Sequence, residues 1–112
     1  MERLFIYGSL QPGGPNEHVL AHVNGTWQRA SVSGRLAEQG WGAELGYPAL
    51  VLDDDGQRVD GYVLSSSELD REWSALDDFE GSEYERVLTP VMLDNGETAD
   101  AWVYTLRVHD RG

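Results

Sequence analysis

Cysteine is absent from this 112-residue chain, and so is lysine: all 8 basic residues are arginine, set against 20 Asp and Glu for a net charge of −12. Without cysteine there are no disulfides, no thiol nucleophile and no cysteine-ligated metal. The acidic excess repels phosphate backbones, which argues against nucleic acid as a partner. An anionic substrate would have to be met locally, by backbone N–H groups or by an arginine. No apolar run approaches the roughly 20 residues that cross a bilayer, so no membrane partner is expected. The N-terminus carries no basic-then-apolar signal pattern, and the expected location is cytoplasmic. Internal repeats and low-complexity tracts are missing as well.

What remains is a globular composition, 40% hydrophobic with 4 Trp and 5 Tyr. The expectation is a single domain over residues 1–106 with a loose tail at 107–112. Leu4, Phe5, Ile6 and Tyr7 form an apolar, β-prone run that Gly8 breaks. A buried strand running into a glycine turn directs successive N–H groups outward, an arrangement suited to a carboxylate or an oxyanion. The most frequent role of such a glycine is simply to turn the chain.

The rest alternates between strand and helix patterns. Asn16 is placed to cap a short helix carrying Val19, Leu20 and Val23, ended by Asn24-Gly25. His18 and His22 lie four apart on it, a metal-compatible spacing with no third ligand nearby, so a solvated face is the simpler reading. Residues 26–36 alternate as a half-buried strand, with Ala30, Val32, Gly34 and Leu36 on one face. A glycine- and aromatic-rich loop over 37–47, with Trp41 and Tyr47, follows. Residues 49–52 and 57–64 read as strands joined by a hairpin turn at Asp53-Asp54-Asp55-Gly56, which lacks the rest of a calcium loop. Ser65 to Glu68 has capping-box spacing, and Leu69, Trp73, Leu76 and Phe79 make the stripe of a helix about 14 residues long. The acids at its end, Asp77 and Asp78 among them, oppose the helix dipole, a misfit of the kind that function can explain. Strands at 84–93 and 98–106 flank Asn95-Gly96, read as a two-residue hairpin turn. The pattern indicates an α+β fold: a small, mainly antiparallel β-barrel with two flanking helices.

Several motifs then fall in a familiar order: Tyr7-Gly8-Ser9-Leu10, Gly13 and Asn16, Gly46-Tyr47-Pro48, Leu76-Asp77-Asp78-Phe79-Glu80-Gly81, Tyr84 and Arg86, and Ala101-Trp102-Val103-Tyr104. On these the chain, over residues 4–104, resembles the γ-glutamylcyclotransferase-like superfamily. It is most similar to the short branch that holds γ-glutamylamine cyclotransferases and plant avirulence-induced proteins. The resemblance implies a compact barrel with flanking helices, in agreement with the pattern. It implies that Tyr7, Gly8, Ser9 and Leu10 cradle the glutamyl end of a small γ-glutamyl substrate, and that Glu80 is the catalytic acid/base. Tyr84 and Arg86 match a recurring pair placed among the substrate-binding residues. Ser9 stands where some members have Thr.

The implied reaction closes 5-oxoproline and expels an amine, and needs no metal, nucleotide or redox cofactor. Alternatives stay open beside it. Glu80 can be a solvated carboxylate at a helix end, or one of a carboxylate pair with Glu83 or Glu85. Arg86 either neutralises the substrate carboxylate or pairs with a neighbouring acid. Tyr7 lines the site or packs in the core. The whole domain could also be a non-catalytic binding module for a small carboxylate or acylated metabolite, or meet a partner through Trp41 and Tyr47.

Overall fold

The computed structural model describes residues 2–8, 10–37 and 49–107. Ser9, the loop residues 38–48 with Trp41 and the Gly46-Tyr47-Pro48 motif, and the tail beyond residue 107 lie outside the described residues.

Six strands and one α-helix make up the regular structure among the described residues: β1 (Glu2–Ile6), β2 (Thr26–Ala37), β3 (Ala49–Leu52), β4 (Gln57–Ser66), α1 (Trp73–Glu80), β5 (Tyr84–Leu93) and β6 (Thr98–Leu106). The strands run in the order β3-β2-β4-β1-β6-β5, and a further pairing of β2 with β5 closes a five-stranded barrel to which β3 is added. Every pairing is antiparallel except β1 with β6, where Leu4 faces Trp102 and Phe5 faces Val103.

Period-2 alternation divides the apolar residues between two layers. On β1, Phe5 enters the barrel with Val32, Val63, Val91, Ala101 and Val103. Its neighbours Leu4 and Ile6 face the other way, where Leu69 and Leu76 cover them. Along β2 the expected face holds for Ala30, Val32 and Gly34. Leu36 is 42% exposed, in the part of β2 that pairs with the added strand β3.

Four local expectations are corrected. The first helix is one 3-10 turn, Glu17–Val19, and Asn16 makes no side-chain cap bond. Leu20 and Val23 are nevertheless buried, because so short a segment can pack its apolar side chains without nucleating a helix. The long helix is likewise split into a 3-10 turn, Leu69–Arg71, and α1. The expected Ser65–Glu68 capping box is not made: the Glu68 carboxylate accepts from the Asn24 N–H at 2.9 Å, while the Ser66 hydroxyl donates to the Asn24 carbonyl and accepts from the Glu68 N–H at 3.0 Å. The Leu69, Trp73, Leu76 and Phe79 stripe does pack together against the barrel. So one α-helix and two 3-10 turns stand where two flanking helices were expected.

Asp53-Asp54-Asp55-Gly56 is a turn but not a hairpin, since β3 and β4 lie on opposite sides of β2. The linker crosses β2 at Gly34, and a side chain on Gly56 would stand 2.5 Å from the Gly34 carbonyl oxygen. The β5–β6 hairpin forms as expected, with a three-residue loop in place of a two-residue one. Leu93 N–H donates to Glu97 O at 2.8 Å, Gly96 alone in the loop has positive φ (88°), and Asn95 does not. That is the combination of a type I turn and a glycine bulge.

Candidate functional site

Tyr7 follows the last residue of β1 and sits at the rim of the barrel. Its ring stacks near Phe5, with centroids 6.3 Å apart. Its hydroxyl donates to the Tyr104 carbonyl at 2.7 Å and accepts from the Leu50 N–H at 3.0 Å. One side chain thus ties β1, β6 and β3 together, while its ring packs against the interior cluster. Burial drives its proton affinity well above that of an ordinary tyrosine.

The turn after Tyr7 is drawn together by Gln11. Its side-chain amide donates to Tyr7 O at 2.9 Å, and its backbone N–H to Gly8 O at 3.1 Å. A side chain built on Gly8 would meet none of the described residues within 4 Å. Leu10 turns its side chain into the outer core.

Glu80 is the last residue of α1. The helix stops because Gly81 takes φ 86° and ψ −178°, a region essentially restricted to glycine, while its N–H still donates to Asp77 O at 3.0 Å. Phe79 packs against the outer core and draws the helix end inward. Glu80 is partly buried there, and that burial raises its carboxyl from 4.5 to about 7. Burial, and for Tyr104 the bond to Asp77, raise the proton affinity of the Tyr7 and Tyr104 hydroxyls, and the Glu80 charge adds a smaller push to each. The fold therefore brings Tyr7, just after β1, and Glu80, at the end of α1, into one electrostatic neighbourhood.

Beside Glu80 lies a group of residues whose joint arrangement the sequence did not disclose. Asp77, one turn earlier on α1, accepts from Arg86 Nε at 3.0 Å and from the Tyr104 hydroxyl at 2.7 Å. The Arg86 guanidinium lies 4.4 Å from the Trp73 ring and 4.9 Å from that of Trp102. The Arg86 bond holds Asp77 below the usual carboxylate range. Tyr84 is buried at the start of β5, and with Asp77, Gly81, Arg86, Tyr104 and Arg107 it lines a cavity of about 460 Å³. The acids at the end of α1 were the legible signal. Their partners lie nine residues on, at Arg86, and across the sheet, at Tyr104.

The remaining candidates disperse. Glu83 and Glu85 are exposed, and the Glu85 carboxylate lies 4.0 Å from Arg107. His22 pairs with Glu72 at 2.6 Å, and His18 is exposed. Among the described residues no group of three His, Cys, Asp or Glu is arranged to hold a metal ion. Nor is any helix among them long and apolar enough to cross a membrane.

These features define a small closed β-barrel domain with a titratable acidic group at the end of α1. The family model "Gamma-glutamyl cyclotransferase, AIG2-like" matches residues 4–112, and the chain belongs to that family. Among solved structures it is similar to an AIG2-like protein from Mus musculus, with a TM-score of 0.76 and 28% identity over 99% of this chain and 80% of that one. It is similar also to YkqA from Bacillus subtilis (TM-score 0.71, 27% identity), covering 94% of this chain but only 35% of YkqA. A protein from Arabidopsis thaliana matches with a TM-score of 0.68 and 28% identity, over 94% of this chain and 61% of its own. No curated protein matches the chain.

Proposed function

We propose that the protein is a γ-glutamyl cyclotransferase-type lyase, converting a γ-glutamyl amine or γ-glutamyl amino acid to 5-oxoproline and the free amine. Glu80 serves as base and then acid. The observation that carries this reading is a half-buried carboxyl at the end of α1, raised to about 7 by burial and near enough to Tyr7, where the chain enters the Gly8 turn, to act on its hydroxyl electrostatically. Family membership supports it.

The substrate's α-amine attacks its own γ-carbonyl carbon. The Glu80 carboxylate takes a proton from the attacking nitrogen, and the carbonyl oxygen becomes an oxyanion. Collapse of the tetrahedral intermediate breaks the bond to the leaving nitrogen, and Glu80 returns the proton there. A group whose proton affinity lies near the working pH performs both transfers efficiently. The nearby tyrosines are unsuited to the task, since Tyr7 gives its proton to the Tyr104 carbonyl and Tyr104 gives its own to Asp77. In this proposal the N–H groups of Gly8, Ser9 and Leu10 receive the oxyanion, where one donor is worth ~3 kcal/mol. Tyr7 and Tyr84 wall the glutamyl end. Ring closure is intramolecular, so holding the substrate bent removes a further several kcal/mol from the barrier.

Incubation with a panel of γ-glutamyl amines and amino acids should release 5-oxoproline, measured by mass spectrometry. Glu80→Gln should lower the rate by about 10²- to 10⁴-fold while the protein stays folded. For wild type, kcat/KM should rise with pH through about 7, because Glu80 must lose its proton to act as base. Full activity in Glu80→Gln would overturn the assignment. Binding of 5-oxoproline without turnover of any substrate would make the domain a binding module.

A further inference from the structure

We infer that the Asp77–Arg86 pair is a positioning device that fixes the end of α1, and with it Glu80, against β5 and β6, and that Arg86 does not receive the substrate's carboxylate. The inference rests on Glu80 being the proton carrier.

Helix α1 has little of its own to hold it. It is eight residues long, its N-cap makes no side-chain bond, and no basic residue stands in its last turn. A helix this short is unstable alone, so tertiary contacts decide where it lies. Leu76 is its one buried residue. Asp77 is the polar anchor, and Trp73, Asp77 and Glu80 follow one another at spacings of four and three, on neighbouring positions of the helix surface. Both Asp77 oxygens are engaged: Oδ1 by Arg86 Nε and by the Tyr104 hydroxyl, Oδ2 by Arg86 Nη2 at 3.4 Å. Trp73 and Trp102, in edge contact at 6.2 Å, flank the guanidinium. Trp102 Nε1 also donates to Glu2 at 2.9 Å, which carries the assembly to β1.

A substrate carboxylate reaching Arg86 would have to displace Asp77, exchanging one carboxylate for another. It would also strand Asp77 unneutralised at the negative end of the helix dipole. The site thus uses Arg86 for geometry and does not offer it to the substrate's charge. Lysine cannot take over the role, because one ammonium lacks both the fork for a carboxylate and the plane that stacks on indole.

The test reads Glu80 directly, by 13C NMR titration of its side-chain carboxyl, assigned by its loss in Glu80→Gln, alongside steady-state kinetics. In Arg86→Gln and Asp77→Asn the Glu80 titration should fall from about 7 toward the ordinary carboxylate range. Over the same variants kcat should drop about 10- to 100-fold with KM within about twofold. Tyr104→Phe, a milder change, should move both in the same direction by less, and Arg86→Lys should not rescue. The double variant Asp77→Asn/Arg86→Gln should be no worse than the poorer single one. A rise in KM of about tenfold or more in Arg86→Gln, with kcat and the Glu80 titration unchanged, would overturn the inference and return Arg86 to the substrate. If Arg86→Gln does not fold, Asp77→Asn and Tyr104→Phe decide by the same readouts. If no γ-glutamyl compound is turned over, the proposed reaction fails, yet an unmoved Glu80 titration in these variants would still sink the positioning role separately.

Discussion

The barrel interior and the rim beside α1 are built from opposite materials. Inside, Phe5, Val32, Val63, Val91 and Val103 pack with no titratable group among them. At the rim Tyr7, Asp77, Glu80, Arg86 and Tyr104 interact through hydroxyls and charges, and the proton affinity of each is raised or lowered through burial or pairing. Apolar burial depends little on pH and sets how stable the domain is. The rim stores a cost, because a carboxyl kept near neutrality is destabilising whenever it is ionised. The two regions should therefore respond differently to substitution and to pH.

The largest effect belongs to the interior. Phe5 is 1% exposed, and Phe5→Ala should cost about 3–5 kcal/mol, the range for emptying a buried aromatic site. Urea unfolding followed by Trp fluorescence measures it, and the loss should be nearly the same at pH 5 and pH 8. A strongly pH-dependent loss would mean that interior and rim are not separable.

The rim should show the reverse. Folded Glu80 titrates near 7 and its ordinary value is 4.5, so between these values the folded protein holds the extra proton. Stability accordingly falls as pH rises across that window, by ~3 kcal/mol at most, and the deficit persists above it. Glu80→Gln removes this slope. Its melting temperature should match wild type near pH 4.5 and exceed it at pH 8, even as activity is lost. Asp77 works in the other direction, its contribution being lost only as pH falls through its lowered value. The two effects therefore occupy separate pH ranges.

Tyr7 belongs to both regions, and Tyr7→Phe separates them. The ring stays on Phe5, while the Tyr104 carbonyl loses its donor and the Leu50 N–H its acceptor. The expected cost is about 1–3 kcal/mol, read as a shift in the urea midpoint with unchanged slope. A loss as large as that of Phe5→Ala would place Tyr7 in the core and not at the boundary.

How far each region could be read from the sequence follows the same division. The interior was legible because period-2 alternation is a local property: β5 and β6 fall at 84–93 and 98–106 as expected. The stripe of Leu69, Trp73, Leu76 and Phe79 was legible because its spacing is local too, although the Glu68 carboxylate bonds to Asn24 instead of closing a capping box and only eight residues are α-helical. The crossing of β3 to the far side of β2 was not legible, since a turn sequence states that the chain reverses and not which edge it joins. At the rim, the turn after Tyr7 and the acids at the end of α1 stood out from the residues themselves, while the roles of Tyr7, Glu80 and Arg86 came from the resemblance. That Arg86 is held by Asp77, and Asp77 by Tyr104, depends on side chains that meet only after the sheet has formed.

Two glycines with nearly equal φ offer the finest comparison, because in both cases a side chain would find none of the described residues within 4 Å. Substitution at either is therefore a test of backbone strain without a clash. Gly96 (φ 88°) lies in the β5–β6 hairpin, and Gly81 (φ 86°) directly follows Glu80. Alanine in a left-handed conformation costs roughly 1–2 kcal/mol, and the extended ψ of Gly81 puts its cost toward 1–3 kcal/mol. Gly96→Ala should lower the melting temperature by a few degrees and leave kcat/KM as it was. Gly81→Ala has a second way to relax, by unwinding the last turn of α1, and that movement shifts Glu80. It should lower the rate several-fold beyond its effect on stability, and bring the Glu80 titration down from about 7 as the carboxyl meets water. Equal kinetic behaviour of the two variants would show that the end of the helix does not set the geometry of the acid, since only one of these glycines adjoins it.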